Sequence, residues 1–201
     1  GGNGEGMRLV LGPSNLQELY DFTVLAFHWA NKYRLPVIVL GDGYLSKMTG
    51  EVELKKAGKI SKEKPIIASG GPHVNLRNCY SLEEELGQVL KRELKDYEAI
   101  CREVESAETV SCADAEIVIF AWGTVAGAAR EAIKNLRSEG IKVGLFRPKT
   151  LKPFAKSHAN SAIRNAKKVL VCESADGQFR SLVKEVLFGN SEVLIYDLLK
   201  P

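Results

Sequence analysis

The sequence predicts an α/β fold in which parallel strands alternate with helices. Two patterns lead to this class. Short apolar runs of strand length are separated by longer segments whose apolar residues recur at helical spacing. This alternation is most regular from Ala113 onwards. The chain has 201 residues, of which 45% are hydrophobic and 26% are charged, so it can form one large domain or two small ones.

The first elements predict one βαβ unit with a right-handed crossover. "MRLVLGP" is a short strand that ends in Gly-Pro, and "LPVIVLGDGYL" is a second strand whose continuous apolar run suits a parallel sheet. Between them, "SNLQELYDFTVLAFHWANKY" predicts a helix with Ser14 as its N-cap and Glu18 close behind.

The region from Ser46 to about Ala113 is polar and interrupted by glycine, which predicts a long connector. Within it, "SLEEELGQVLKRELKDYEAICREVE" has the period of a mostly solvated helix that leans on a neighbour. "KPIIASGGPH" is a candidate for a further strand or turn. The narrow apolar stripe of the helix comprises Leu82, Leu86, Val89, Leu94, Tyr97 and Ile100.

The region after Ala113 predicts successive βα units and a last strand. The helices lie in "VAGAAREAIKNLRSEG", with Gly140 after its end, "PFAKSHANSAIRNA" and "GQFRSLVKEVLFG"; the strands lie in "AEIVIFAWGT", "IKVGLFRPKT", "KKVLVCES" and "SEVLIYDL". Ligands of such sheets gather at the carboxyl ends of the strands, which here read "WGT", "RPKT" and "ESADGQ".

Charge and composition argue against several classes of function. The net charge of +3 is spread along the chain without a basic stripe, so nucleic acid is a poor candidate partner. The apolar runs are too short to cross a bilayer, and the start of the chain lacks a secretion signal, so we expect a cytoplasmic protein. Four cysteines without a CxxC pair argue against a zinc ribbon or a local iron–sulfur cluster, and we expect Cys112 and Cys172 to be buried free thiols.

Four segments together resemble the α subunit of 2-oxoacid:ferredoxin oxidoreductases. The branched-chain type, which acts on 3-methyl-2-oxobutanoate (ketoisovalerate), is the most similar because the connector helix has that type's charged character. The resemblance covers nearly all of the chain except about residues 46 to 80. Its segments are "GPSNLQELYDFTVLAFHWANKYRLPVIVLGDGYL", "AEIVIFAWGTVAGAAREAI", "EGIKVGLFRPKTLKPF" and "VCESADGQF".

The resemblance implies a chain in two pieces joined by the connector. Residues 1–46 would be the C-terminal end of a pyrimidine-binding domain of the thiamine-diphosphate type, and residues 47–112 would be the connector with its charged helix. Residues 113–201 would be a transketolase C-terminal-like domain. The first residues are loop-like and the last follow a strand directly, so the chain reads as a fragment of such a subunit.

The activity implied is oxidative decarboxylation of a 2-oxoacid to an acyl-coenzyme A, with electrons passed to ferredoxin. Thiamine diphosphate and its magnesium ion would be held mostly by residues outside this chain, and the iron–sulfur clusters would lie on other subunits. The partners implied are a β subunit and γ or δ subunits, in a dimer of heteromers. This chain would be scaffold and subunit interface, inactive alone, and no catalytic residue is assigned to it, since Glu5, Glu18 and Glu51 lie in no matching motif.

Two other interpretations remain open: a non-catalytic α/β interaction module, and a stand-alone nucleotide-binding domain. The Rossmann fingerprint G-x-G-x-x-G is absent, which argues against a nicotinamide cofactor. Ser14 is not in a G-x-S-x-G elbow, and His28, His73 and His158 have no metal-ligand or triad spacing.

The Gly-Asp-Gly triplet at residues 41–43 looks like the start of the thiamine-diphosphate motif, in which paired asparagines follow. Here Asn75 and Asn78 arrive late and unpaired, which leaves Asp42 without the oxygen partners that a hard divalent cation needs. We therefore expect Asp42 to end a strand and bind no metal.

The candidate site residues lie at the carboxyl ends of the predicted strands. Gly123 and Thr124 would either bind a coenzyme A phosphate at a helix N-terminus or, as we favour, form the turn and cap of that helix. We expect Arg147 to be buried at the domain junction in an ion pair, with Glu173 or Asp176 as its partner. The resemblance also places Glu173, Gly177 and Gln178 at a subunit junction, while a simpler interpretation is a helix start with Asp176 in its first turn.

Overall fold

The computed structural model describes residues 6–55, 79–189 and 194–199. They form two sheets, one of three strands and one of five, with helices packed against them. The predicted α/β class with parallel strands is confirmed.

The three-stranded sheet has β1 (Leu9–Leu11) at its centre. On one side β1 pairs in parallel with β2 (Val37–Val39), and on the other it pairs antiparallel with β6 (Thr150–Lys152). The predicted βαβ unit is present, with α1 (Leu16–Tyr33) as its crossover helix. Because β6 comes from the second half of the chain, both halves contribute to this sheet.

The N-terminus of α1 differs by one residue from the prediction. The N-cap is Asn15 and not Ser14, because the side chain of Asn15 accepts a hydrogen bond of 2.8 Å from the backbone N–H of Glu18. Ser14 lies one residue before the cap, and both its backbone N–H and its hydroxyl donate to the Glu18 carboxylate at 3.0 Å. Asn and Ser are equally good caps, so the sequence alone did not separate them.

The connector helix is α2 (Glu83–Val104). Its apolar stripe is only partly covered: Tyr97 and Ile100 are half-buried, while Leu82, Leu86 and Leu94 are exposed. The phenol of Tyr97 donates to the carbonyl of Arg8 at 2.8 Å, which ties the C-terminal half of α2 to the first strand. The candidate strand or turn at residues 64–73 lies outside the described residues.

The five-stranded sheet has the order β3-β5-β4-β7-β8. All its strands are parallel except β3, which runs antiparallel to β5. The strand β3 lies inside the segment 47–112 that was predicted as connector, so the sheet begins before residue 113. The strands are β3 (Ala107–Val110), β4 (Ile117–Phe120), β5 (Val143–Pro148), β7 (Lys168–Glu173) and β8 (Leu194–Leu199).

Three helices cover this sheet, two on one face and one on the other. On the first face, α4 (Lys156–Ala162) and α5 (Gln178–Val186) pack over Phe120, Phe146 and Val171. On the second face, α3 (Gly123–Ser138) packs over Ile119 and Leu145. Successive residues of β4 and β5 thus enter opposite cores, as the alternation of side chains in a strand requires.

The thiols of Cys112 and Cys172 are free and half-buried, less enclosed than expected. Burial raises the pKa of both thiols, which keeps them protonated at neutral pH. Among the described residues, no helix combines the length and the apolar character that crossing a bilayer requires.

Candidate functional site

The carboxyl ends of β4, β5 and β7 lie together at one edge of the five-stranded sheet, as the parallel arrangement requires. At the first two strand ends, the three-stranded sheet and its helix α1 supply the facing groups. This edge is the candidate site, because it holds the predicted site residues Gly123, Thr124, Arg147, Glu173, Gly177 and Gln178.

At the end of β4, the N-terminus of α3 binds the carboxylate of Asp42. The backbone N–H and the hydroxyl of Thr124 donate to Oδ2 of Asp42 at 3.0 and 2.6 Å. The other oxygen, Oδ1, accepts from the backbone N–H of Leu45 at 2.8 Å. Asp42 therefore caps a helix that lies 82 residues further along the chain.

This geometry corrects one expectation about Thr124 and extends another about Asp42. The N-cap position of α3 is Trp122, without a side-chain cap, and Thr124 lies inside the first turn. The cap is supplied by Asp42, which follows β2 as expected but also joins the two sheets.

Gly123 leaves the room that this contact needs. Its φ is +61°, a conformation that favours glycine, and a Cβ atom here would lie 3.0 Å from Oδ2 of Asp42. Burial alone would raise the pKa of Asp42, but the hydrogen bonds from Thr124 and Leu45 hold this pKa below its usual value. A coenzyme A phosphate would have to displace this carboxylate to reach the helix N-terminus.

At the end of β5, the guanidinium group of Arg147 lies between two carboxylates. It donates to both oxygens of Glu18 at 2.9 and 2.5 Å, and to Oε2 of Glu108 at 2.9 Å. A further bond of 3.3 Å reaches the carbonyl of Gly12. Arg147 is buried, as expected, with only 1% of its surface exposed. The expected partners Glu173 and Asp176 were wrong, because Glu18 and Glu108 take that place.

The ion pair extends into a network of four charges. Arg130 on α3 donates to both oxygens of Glu108 at 2.8 and 3.0 Å. Burial would raise the pKa values of Glu18 and Glu108, yet the hydrogen bonds from the arginines hold both pKa values below their usual range. Two carboxylates and two guanidinium groups therefore balance in charge, and they connect α1 to β3, β5 and α3.

At the end of β7, Glu173 caps α5 within the same layer. Its carboxylate accepts from the backbone N–H groups of Phe179 and Arg180 at 2.8 and 3.0 Å, and only 3% of the residue is exposed. The expected place of Asp176 in the first turn was wrong: α5 begins at Gln178 and has no acidic residue in that turn.

Gly177 and Gln178 lie at the start of this helix. Gly177 has φ +80°, a backbone conformation that favours glycine. A Cβ atom there would lie 2.5 Å from the guanidinium group of Arg180, the flexible end of that side chain, which would have to move. Gln178 is exposed. The predicted role of Glu173, Gly177 and Gln178 at a subunit junction stays a prediction.

The described residues do not fit the metal–diphosphate part of a thiamine diphosphate site. Both oxygens of Asp42 face N–H or O–H donors, whose positive ends oppose a cation. Within residues 6–55, 79–189 and 194–199, no three His, Cys, Asp or Glu side chains cluster as metal ligands would. His28 is half-buried on α1 and His158 lies 3.3 Å from the Ser157 hydroxyl, while His73 lies outside the described residues.

Sequence reasoning missed the roles of Glu18 and Glu108 as the carboxylate partners of Arg147. Glu18 was noted only as a companion of the helix start, and Glu108 lies in a strand that was not predicted. The available signal was Arg147 itself: a buried guanidinium needs carboxylate partners, although its position does not say which.

Comparison with known proteins places the chain among oxidoreductases. Residues 115–198 match the family model "Pyruvate:ferredoxin oxidoreductase core domain II". Residues 5–78 match the model "Pyruvate flavodoxin/ferredoxin oxidoreductase, thiamine diP-bdg". The two matches lie on either side of α2.

The curated relatives include subunits of enzymes that are named for different 2-oxoacids. The ketoisovalerate oxidoreductase subunit VorB of Methanothermobacter marburgensis is 31% identical over 191 residues, which covers 92% of this chain and 53% of VorB. The 2-oxoglutarate synthase subunit KorA of Methanocaldococcus jannaschii is 29% identical over 224 residues, with 98% and 60% covered. The chain thus spans about half the length of these relatives.

A solved structure has the same fold. The 2-oxoglutarate:ferredoxin oxidoreductase from Magnetococcus marinus, with 2-oxoglutarate, coenzyme A and succinyl-CoA bound, superposes with a TM-score of 0.75 at 22% identity. The match covers 99% of this chain and 40% of that one. At this identity the likeness shows the fold.

The two sheets and both family matches define an α/β oxidoreductase subunit of the kind that carries a thiamine diphosphate-binding domain beside a core domain II. The chain belongs to the 2-oxoacid:ferredoxin oxidoreductase family.

Proposed function

We propose that this chain is part of the α subunit of a 2-oxoacid:ferredoxin oxidoreductase, which converts a 2-oxoacid and coenzyme A to an acyl-coenzyme A and passes the electrons to ferredoxin. The VorB relatives favour 3-methyl-2-oxobutanoate as the substrate. In the assembled enzyme, other subunits would carry the iron–sulfur clusters and most ligands of thiamine diphosphate and magnesium.

Within that enzyme, the role of this chain is scaffold and subunit interface. The main support for this proposal comes from the carboxyl ends of β4, β5 and β7, where the charged groups of this chain form hydrogen bonds and ion pairs with one another. Asp42 and Glu173 cap helices, while Glu18 pairs with Arg147. Groups engaged in this way hold structure and are poorly placed to move protons or bind substrate.

The same observation argues against a stand-alone nucleotide-binding domain. The N-terminus of α3 is where a phosphate would bind in such a protein, and there Asp42 accepts the Thr124 hydrogen bonds. A nucleotide would pay for the displacement of a charged, hydrogen-bonded carboxylate, so we expect negligible nucleotide affinity.

Reconstitution tests the proposal. The purified chain is mixed with the β subunit and with the polypeptide that makes up the rest of such an α subunit, and reduction of a viologen dye is followed with coenzyme A present. We expect dye reduction that depends on the 2-oxoacid, fastest with 3-methyl-2-oxobutanoate among three acids that include 2-oxoglutarate and pyruvate. The chain alone should give none. Binding of magnesium and thiamine diphosphate by the chain alone would contradict the proposal.

A further inference from the structure

A cavity of about 470 Å³ lies where β1, β6, α2 and α5 meet. Its volume is within the range of small-molecule sites in proteins. Its walls come from four separate parts of the chain, and none of the predicted site residues lines it. Most of the lining is apolar and includes Val10, Leu151, Phe154 and Leu182. A cavity of this kind can enclose the apolar part of a small ligand.

Two cationic side chains that line this cavity are close neighbours. Lys152 lies directly opposite Val10 in the antiparallel pairing of β1 with β6. Arg8 precedes Val10 by two residues and lines the same cavity, so it lies diagonal to Lys152 on one face of the sheet. Diagonal neighbours in a sheet are within reach of each other when both side chains are long. The register therefore brings two positive charges together in the cavity wall.

The charges of this cavity are not paired with one another. Within residues 6–55, 79–189 and 194–199, no ion pair includes Arg8, Lys152 or Glu185, the acidic residue that α5 places in the lining. The guanidinium group of Arg8 donates to the carbonyl of Gly6 at 3.0 Å. Both cations are half-buried, so water screens their charges less than it does at an open surface. Two positive groups against one negative group leave an excess of positive charge that suits an anion.

The backbone that carries both cations is held in place. The phenol of Tyr97 donates to the carbonyl of Arg8 at 2.8 Å, and the residue before Lys152, Leu151, is buried. A ligand would therefore order little of the protein on binding, so more of the contact free energy becomes affinity. Like charges at neighbouring positions of a sheet destabilise the pairing, and an anion between them would remove that repulsion.

We propose that this cavity binds a small carboxylic acid with an apolar chain, whose carboxylate lies between Arg8 and Lys152. Both side chains form charge-assisted hydrogen bonds with carboxylates. The apolar chain of the acid would lie against Val10 and Leu182. A ligand with several phosphates suits the cavity less, because most of the lining is apolar and Glu185 repels further negative charge. This inference goes beyond the proposed function and does not depend on it.

Calorimetric titration of the purified chain tests this site, with hexanoate and its uncharged counterpart hexanamide as the probes. We expect hexanoate to bind with a Kd of about 1 mM or lower, and hexanamide to bind about tenfold more weakly because it lacks the charge. Lys152→Gln should weaken hexanoate binding about tenfold and leave hexanamide binding unchanged. Lys156→Gln is the matched control: Lys156 is exposed at the start of α4, outside the cavity lining, so hexanoate binding should stay within about twofold of the wild type.

Glu185→Gln should change the affinity in the opposite direction. Glu185 lines the cavity and is exposed on α5, so its replacement removes a charge that repels the carboxylate and leaves the fold intact. We expect hexanoate to bind this variant about twofold more tightly or better, and hexanamide to bind it as it binds the wild type. Thermal melts of all three variants check that each is folded.

A last titration adds the polypeptide that makes up the rest of such an α subunit, because the chain spans about half the length of its relatives. Binding of hexanoate should persist there. The inference is overturned if hexanoate does not bind, if hexanamide binds equally well, or if neither Lys152→Gln nor Glu185→Gln changes the affinity. Loss of binding when the added polypeptide is present would also overturn it, since that polypeptide would then cover the cavity. None of these results bears on the proposed function, which the dye reduction tests.

Discussion

Two helix N-termini at the same sheet edge are capped by carboxylates from the ends of strands, but the two caps differ in how far apart the partners lie in the sequence. Glu173 caps α5 across six and seven residues of sequence, inside the five-stranded layer. Asp42 caps α3 across 82 residues, from one sheet to the other. The contact of Glu173 stays within the five-stranded sheet and its helix, whereas the contact of Asp42 connects the two sheets. The ion pair between Arg147 and Glu18 belongs with the second, since it spans 129 residues.

The difference shows that charged hydrogen bonds, in addition to apolar packing, connect the two sheets. Apolar cores hold α3, α4 and α5 against the five-stranded sheet. The junction between the sheets adds hydrogen-bonded charges, which require a defined geometry in order to offset their loss of hydration. The junction should therefore be more sensitive to removal of a single group than its small size suggests.

The largest effect is expected from Arg147→Ala. Removal of the guanidinium group leaves Glu18 and Glu108 facing each other at the junction, and loss of one partner of a buried ion pair costs about 3–5 kcal/mol of stability. Chemical denaturation of the chain measures the loss. Arg130→Ala is the matched control, since Arg130 is 31% exposed and meets only Glu108 among the described residues; it should cost much less. A subunit that assembles and melts like the wild type but has lost turnover would instead place Arg147 against substrate.

A middle effect is expected from Glu173→Ala. The variant removes the acceptor of two backbone N–H groups, one of them fully buried, and an unsatisfied buried donor or a lost cap costs about 2 kcal/mol. Glu173→Gln keeps one acceptor oxygen and should recover about half of the loss. Amide hydrogen exchange should locate the change at the start of α5, with α3 unaffected. Faster exchange in α3 as well would show that the effect of the Glu173 cap is not confined to α5, which would contradict this prediction.

The smallest effect is expected from Asp42→Asn, at about 1 kcal/mol near neutral pH. The amide oxygen can keep both bonds from Thr124, while the charge and the bond from Leu45 are lost. The pKa of Asp42 is lowered in the folded chain, so its contribution is present above the pKa of the unfolded chain and disappears as the pH falls through the folded pKa. The stability difference between wild type and variant should therefore be constant from about pH 7 to 5 and shrink below about pH 4. A difference that does not shrink on acidification would show that the charge is not the cause.

The elements that periodicity could predict were those with long apolar patterns. The helices α1, α2, α3 and α5 and the strands β4, β5 and β7 were all expected close to where they lie. The strands β3 and β6 were not, because their sequences, AETV and TLK, lack the continuous apolar run that marked the predicted strands. The exposure of Leu82 and Leu86 was missed for another reason: a stripe predicts which face is apolar, and not whether anything covers it.

The sequence predicted which residues lie at the site and which of them are buried, but it did not predict their hydrogen-bond partners. Burial of Arg147 followed from its place at the end of an apolar strand, and the start of α5 near Gly177 followed from local sequence. The contacts of Asp42 and Glu18 did not, because they depend on how two sheets meet, which no local pattern encodes.

Lys149 is the single residue between β5 and β6, so the chain leaves one sheet and enters the other almost at once. Its backbone N–H donates to the carbonyl of Ser106, and its own carbonyl accepts from Gly12, both at 2.9 Å. One residue is too short a connection to let the two sheets move independently. Any twist of the larger sheet is passed directly to the smaller one, and a single extra residue inserted here would slide β6 out of register with β1. We therefore expect the two sheets to move together as one rigid unit, with the least relative motion at Lys149.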